Sequence, residues 1–532
     1  MPPLMGKEDK MKLLGKIDKS VFGITAIFYL SIFLFIILVP DIAATVIENV
    51  LNFSLDSLGW IYVLAFAFFL IAYLAIGLSR YGKLKLGKPE DKPEYSFFSW
   101  MGLLFGAGLG VGLVFYGVYE PVSHFITAMY AESGTAAAAS DAIKQTFFHW
   151  SFVPWAGYGI AGLCIAYFTH RRGLPGMVSS SFYPLFGKKA LTGTLGKVID
   201  AFASIAVICG ISMSTGFAAT QFVSGLSMQY GLNNNILMIA MAIIGIGFIA
   251  TACCMSGLKK GIKFISDMNL WLILVLLGFA LLCGPTIYLI KVFFQGMGSM
   301  IGEFIPMMFF LDANKEVASH VGFDWVSGWT IFYWAWWIAF VPFIGGFLAD
   351  ISKGRTIREF VLASIFVPGF LCCIWFAFFG GGAIEMTLFG GSNVANMAAA
   401  NMDNSLFIFL KELPISAVTI PISMVLILTL IITSVNSATH VLGRFSIGGK
   451  GEPTIWNRAF WCIFIAVNAI LFLWIGGLEI LKNIAVVFAL PFIIIMLFMV
   501  YGLMKDLKTT GEEDVYKPYI EDDDPEQTEL IA

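Results

Sequence analysis

Charge is what this 532-residue sequence has least of: Asp, Glu, Lys and Arg make up 13% of it, against 58% hydrophobic residues. So few charges cannot clothe a soluble domain of this size, and the composition places the chain in a membrane. Histidine is scarce too, with five in all. His149 and His440 lie near the ends of apolar runs with no obvious partner, and no Ser, His or carboxylate pair sits at depth, which argues against an intramembrane enzyme. A continuous polar stripe or ring of charge is also missing, which argues against a channel. The eight cysteines (Cys164, Cys209, Cys253, Cys254, Cys283, Cys372, Cys373 and Cys462) all fall inside apolar runs. They read as small buried hydrophobes, not as a disulfide frame or metal set. No small-residue cleavage site follows a short apolar core, so no removable signal peptide is expected.

What is present is apolar sequence in long blocks. Twelve runs of about the ~20 residues that cross a bilayer as helix fall near 21–40, 57–79, 97–119, 146–169, 200–223, 236–255, 268–294, 327–349, 359–383, 413–437, 458–476 and 482–503. Each is too long for a strand and too continuous for a barrel's alternation, so the expected class is all-α, with twelve transmembrane helices. The stretch 295–326 mixes polar and apolar residues and suits an amphipathic helix at the interface. With both termini cytoplasmic, 27 Lys and Arg fall inside and five (Lys144, Lys291, Lys315, Lys411 and Lys482) fall outside, as the positive-inside rule requires. The expected organisation is a basic cytoplasmic tail over 1–20, a membrane domain over 21–504 and an acidic, flexible cytoplasmic tail over 505–532.

Three runs depart from plain apolar filling. The third, MGLLFGAGLGVGLVFYGVYEP, carries Gly102, Gly106, Gly108, Gly110, Gly112 and Gly117, each costing a helix about 1 kcal/mol relative to Ala. Two readings stand: close packing through the GxxxG pairs Gly106/Gly110 and Gly108/Gly112, or a locally unwound segment whose carbonyls face a cavity. The eighth opens with GWTIFYWAWW and continues through Pro342, Gly345 and Gly346. Tryptophan normally collects at the membrane–water interface, yet Trp334, Trp336 and Trp337 fall near mid-depth, where a buried indole N–H needs an acceptor. That favours a pocket over filler. The tenth ends LTLIITSVNSATHVLG, with Thr433, Ser434, Asn436, Ser437 and Thr439; such hydroxyls either bond back to their own helix or supply oxygens to a hard cation.

The order of these irregularities matters. If runs three to seven and eight to twelve are five-helix repeats of opposite topology, the third and eighth are matching first helices, each interrupted by Gly or Pro. The fifth and tenth are then matching third helices, and the fifth also carries a polar cluster, Ser212, Ser214 and Thr215. The fourth run, FFHWSFVPWAGYGIAG, holds Trp150, Trp155 and Tyr158, which need Pro154 or a turn to face one pocket. Ring faces attract cations, best with Trp, and quaternary ammonium groups suit them. Glu120, Asp200, Asp267 and Asp350 all lie near expected helix ends, so the expectation is a site that holds positive charge without a buried carboxylate.

The segments GWTIFYWAWW and ISKGRTIREF resemble the signature of the betaine/choline/carnitine transporter family, and the likeness extends to GLGVGLVFYGVYEP, HWSFVPWAGY and TSVNSA. The resemblance implies a LeuT-type fold of two inverted five-helix repeats preceded by two extra helices, assembled as a homotrimer in the cell (inner) membrane. It implies that Trp150, Trp155, Tyr158 and Trp337 form the substrate cage, with Trp334 and Trp336 on the route or in a second binding arrangement. Phe340 stands where relatives often have Trp or Tyr, and Gly108 and Gly110 are expected along the substrate's path. Thr433 and Ser434 match side chains of a sodium site, with Gly106 and Leu109 as its backbone contributors; Leu109 replaces the Met common in betaine carriers. Asp350 occupies a position that is usually Arg, and the acidic C-terminal tail differs from the basic tail of osmotically activated carriers.

The function expected on these grounds is import of a quaternary-ammonium compound such as glycine betaine by sodium symport, with no cofactor beyond the coupling ion and no nucleic-acid partner. The rival is sodium-independent or proton-coupled transport or exchange of choline, carnitine or a related methylamine. In sodium-independent exchangers a basic residue typically substitutes for the ion, and no Arg or Lys interrupts the fifth run.

Overall fold

The structure, a computed structural model, describes residues 17–108, 110–255, 258–449, 451–510 and 515–519. Leu109 and most of both tails lie outside the described residues. Among the described residues no strand forms, as expected where a segment in hydrocarbon must satisfy its own backbone N–H and C=O groups. In chain order the principal helices are α1 (Lys19–Leu38), α2 (Pro40–Leu78), α3 (Phe97–Gly108), α4 (Gly112–Ile126), α5 (Ala136–Trp150), α6 (Phe152–Ala166) and α7 (Thr194–Tyr230). Then follow α8 (Ile236–Met255), α9 (Leu258–Cys283), α10 (Thr286–Gly302), α11 (Phe332–Ile351), α12 (Ile357–Leu388), α13 (Ser416–Ser446) and α14 (Ile455–Thr510). At 39 residues α2 is about 58 Å long, well beyond the ~30 Å of a hydrocarbon core.

Eleven segments of the described residues are long and apolar enough to cross a membrane, not the expected twelve. α5 and α6 together supply one, α14 supplies two, and the third run supplies none because it divides into α3 and α4, of 12 and 15 residues. The division falls at the densest glycines. Gly110 has φ +53°, a left-handed conformation that only glycine adopts cheaply, so the unwound reading holds for this run.

The eighth run behaves differently. A π-turn over Val326–Ile331 leads into α11, which then runs unbroken through Pro342. The expected interruption there is absent. Its glycines serve close approach: a Cβ on Gly345 would meet Gly162 N of α6 at 3.1 Å, and one on Gly346 would meet Val441 of α13 at 3.3 Å. Packing on both flanks holds the helix across the hydrogen bond that Pro342 cannot donate. α11 lies along α6 and against α7 and α14, at the centre of the bundle.

Three boundaries also shift. The fourth run begins ten residues earlier than expected, at Ala136, where Thr135 Oγ1 caps the helix by accepting from Ala138 N at 3.3 Å. Lys144, expected in an outer loop, is therefore on α5, buried and paired with Asp141 and Glu303 at 2.8 Å each. The seventh run stops at Cys283, and residues 286–294 join α10 after Pro285. Residues 505–510, expected to open the flexible tail, continue α14, where buried Asp506 pairs with Arg172 at 2.7 Å. Tyr519 then packs its ring 4.4 Å from that of Tyr183.

Candidate functional site

The aromatic site forms because the fourth run bends. In a continuous helix Trp155 would point about 140° away from Trp150. α5 instead ends on Trp150, the backbone leaves helix at Ser151 (φ −85°, ψ −125°), and α6 restarts at Phe152 with Pro154 in its first turn, where a missing N–H costs nothing. From α11, Trp337 enters the angle so formed. Its ring centroid lies 4.6 Å from Tyr158, 5.3 Å from Trp155 and 5.8 Å from Trp150. The planes of Trp150 and Trp155 stand at 73° and 74° to that of Trp337, so faces and edges enclose a space instead of stacking it shut.

The floor of this space is the break between α3 and α4. Gly108, Gly110, Val111 and Gly112 line a small cavity with Trp150, Tyr158, Trp336, Trp337, Phe340 and Ser214. Rings lie directly on the glycines: a Cβ on Gly108 would meet Trp155 at 2.9 Å, and one on Gly112 would meet Trp336 at 2.6 Å. The cavity measures about 20 Å³, room for one water, so a larger guest fits only where the rings part. Trp334 is not brought here. Its ring packs outside the cavity, 5.0 Å from Phe66 of α2 and 5.6 Å from Phe148 of α5.

Thr433 and Ser434 of α13 lie beside α3 and the break, Thr433 with its methyl group toward Gly106 and Ser434 with its hydroxyl toward Gly110. The Cβ direction of Gly106 finds Ser266 Oγ at 3.0 Å and Thr433 Cγ2 at 3.7 Å, and that of Gly110 finds Ser434 Oγ at 4.0 Å. Thr433 Oγ1 donates to Thr429 O at 2.7 Å and accepts from Asn269 Nδ2 at 3.1 Å, which leaves it one lone pair. Ser434 Oγ is buried with no hydrogen-bond partner. Ser266 and Asn269 of α9 were not singled out in the sequence, where they look like ordinary interruptions of an apolar run. Of the fifth run's polar cluster only Ser214 reaches the cavity; Ser212 accepts from Asn468 at 2.8 Å and Thr215 bonds back to Ile211 O at 2.8 Å.

The largest departure from expectation is Glu120. Far from a helix end, it is fully buried on α4. Its Oε2 accepts from the indole N–H of Trp150 at 2.5 Å and its Oε1 contacts His149 Nδ1 at 2.7 Å. The cage therefore does have a buried carboxylate behind it, and His149 does have a partner. His124 lies on the same side, its Nε2 3.4 Å from Glu120 Oε1. Hydropathy hid this group because the run fades at Tyr119–Glu120, while α4 continues to Ile126. The available signal was chemical: a buried indole N–H at Trp150 requires an acceptor. Ligand atoms of Glu120, His124 and His149 fall within 4.8 Å of one another, close enough to share a metal ion. Their own short hydrogen bonds, with Trp150 and Thr330 drawn in, already use most of those atoms.

Comparison with known proteins gives a consistent picture. The family model described as BCCT, betaine/carnitine/choline family transporter, matches residues 20–512. The glycine betaine transporter OpuD of Bacillus subtilis is 39% identical over 495 residues, covering 93% of this chain and 95% of its own. A probable glycine betaine transporter of Desulfitobacterium hafniense is 38% identical over 497 residues, covering 93% and 98%. An ectoine/hydroxyectoine transporter of Virgibacillus pantothenticus is 36% identical over 496 residues, covering 92% and 97%.

Proposed function

Because the chain belongs to the betaine/carnitine/choline transporter family, we propose that it imports a quaternary-ammonium zwitterion such as glycine betaine by sodium symport and alternating access. Family membership makes it a multi-pass membrane transporter of betaine-like compatible solutes and not an enzyme. The observation that carries the finer reading is Trp337 held 4.6 Å from Tyr158 with Trp150 and Trp155 around it. Such a box suits a methylated cation, which offers no N–H to a hydrogen-bond acceptor and binds by its charge to ring faces. The carboxylate of a zwitterion would find a donor in Trp336, whose indole N–H is buried without an acceptor.

Sodium enters the proposal through the α3–α4 break. The free lone pair of Thr433, the unpartnered Ser434 hydroxyl and the Gly106 carbonyl are oxygens of the kind hard cations take. An ion there would tie the unwound segment to α13, favour one state of the bundle and raise substrate affinity; by linkage the substrate raises sodium affinity by the same factor. In the same reading the α3–α4 break is the discontinuous first helix of one of two inverted five-helix repeats preceded by α1 and α2; cytoplasmic termini and a three-chain assembly belong to the proposal through the family resemblance alone.

The test is uptake of radiolabelled glycine betaine into proteoliposomes with and without an inward sodium gradient, with choline, carnitine and ectoine as competitors. Uptake driven by the gradient supports the reading. Equal uptake in both conditions removes sodium and favours proton coupling or exchange.

A further inference from the structure

We propose that Glu120 is the counter-charge of the aromatic cage, acting through Trp150 to set how strongly the site prefers a cation over an uncharged ligand of the same shape. The proposal deepens the functional reading above and rests on Trp150 being a wall of the substrate site.

The proposed arrangement keeps the negative charge on the carboxylate: Thr330 Oγ1, 3.0 Å from His149 Nε2, donates its hydroxyl there, the single ring proton sits on Nδ1 and is donated to Glu120 Oε1 at 2.7 Å, and His149 is neutral. His124 Nε2 lies 3.4 Å from the same Oε1, a longer and weaker contact than that of His149. The groups that face Glu120 are thus two imidazoles, an indole and the Tyr333 phenol of α11, with neither lysine nor arginine among the described residues around it. A carboxylate taken fully out of water is expensive unless paired, so a cation arriving in the cage supplies what the resting cluster lacks.

The coupling to the ligand runs through one hydrogen bond. Trp150 donates its N–H to Glu120 Oε2 at 2.5 Å, a short charge-assisted bond. An indole that gives its proton to an anion becomes richer in electrons across the ring, and the ring face is what a cation feels. The carboxylate also acts directly, because its field is weakly screened in a buried site. Trp155 provides the contrast on the same wall, since its indole N–H has the Cys372 side chain beside it and no carboxylate among the described residues.

The test uses the full-length protein in detergent and calorimetric binding of two ligands: glycine betaine, and tert-butylacetate, its carbon isostere with the same carboxylate and no positive charge. Wild type prefers the cation. In Glu120→Gln, which keeps an acceptor for the indole N–H, the betaine-to-isostere affinity ratio falls about tenfold, because the ammonium loses its attraction and the anionic isostere does not. A purely structural role weakens both ligands together and leaves the ratio alone, so an unchanged ratio in the folded variant overturns the proposal. Should Glu120→Gln fail to fold, benzothienylalanine, which replaces the indole N–H by sulfur, is placed at Trp150 and separately at Trp155. A larger fall in the ratio at position 150 supports the proposal, and equal falls overturn it. A wild-type protein with no preference for betaine over the isostere sinks the cage reading itself, whereas a preference that survives in Glu120→Gln sinks only the role of Glu120.

Discussion

A methyl group added at Gly112 tests the cage where its backbone floor meets its rings. The Cβ of an alanine there would stand 2.6 Å from Cη2 of Trp336 and 3.1 Å from Cη2 of Trp150, where carbon atoms settle at about 3.5–4.0 Å. Both indoles must retreat, and both are held from behind: Trp150 by its N–H to Glu120, Trp336 by stacking on Phe332 at 6.0 Å and 24°. Overpacking of this kind costs about 1–3 kcal/mol, offset by at most about 1 kcal/mol of helix propensity gained over glycine. The protein should therefore fold with a modest loss of stability. The cage suffers more, because displacing a ring removes a desolvated cation–π contact of about 2 kcal/mol, or roughly thirtyfold in affinity. Gly102 is the control within the same glycine series, since nothing lies within 4 Å of its Cβ position; Gly102→Ala should bind ligand as wild type does. Titration calorimetry with glycine betaine, beside a thermal melt of each variant, measures both quantities. Wild-type affinity in a folded Gly112→Ala protein would refute the argument and place the ligand away from this floor.

Three other outcomes are expected. Trp337→Leu keeps bulk in α11 but removes the central ring, so affinity should drop about thirtyfold with folding intact; undiminished binding would make Trp337 packing. Replacing Thr433 and Ser434 together by Ala removes two oxygens with no cost in helix propensity, so uptake should require far more sodium; an unaltered sodium dependence would move the ion to the neighbourhood of Ser214. Burial raises the carboxyl of Asp18, but the Lys197 ammonium and the first-turn N–H groups of α1 outweigh it and hold the group below its ordinary value. A depressed acid contributes stability that is lost as pH falls through its folded pKa. Asp18→Asn should therefore be less stable than wild type at neutral pH, by under about 1 kcal/mol for a pair at the protein's edge, and the gap should close in acid; a gap that stays constant would show the charge to be idle.

What the sequence discloses and what it hides follow from the reach of each signal. Long apolar runs reveal helices because hydrocarbon tolerates little else, and each of the twelve runs lies mainly on helix. Their ends are less visible, because polar residues that find partners inside the protein look like loop: Lys144 with its two carboxylates, and Asp506 with Arg172, both misled the boundaries. The cage residues Trp150, Trp155, Tyr158 and Trp337 stand out by type, but the bend that assembles them depends on one residue, Ser151, with nothing unusual in its chemistry. Pro342 and the glycines after it suggested a break in α11, and it took the neighbouring helices to show that these glycines admit backbone and side chains from α6 and α13. Glu120 was hidden for a related reason, since its partners come from α5, and hydropathy reads one helix at a time.

The bend at Ser151 has a mechanical consequence. Trp150 closes one helix and Trp155 and Tyr158 open the next, so the walls of the cage ride on two rigid arms that share a single pivot. A small rotation there widens or narrows the space between them with every side chain keeping its rotamer. α12 presses on that pivot: a Cβ at Gly369 would meet Phe152 at 3.1 Å and the Ser151 carbonyl carbon at 3.3 Å. The absence of a side chain at Gly369 is thus what lets α12 pack directly on the bend, and the aperture of the cage depends on the angle between two helices as well as on the rings that line it.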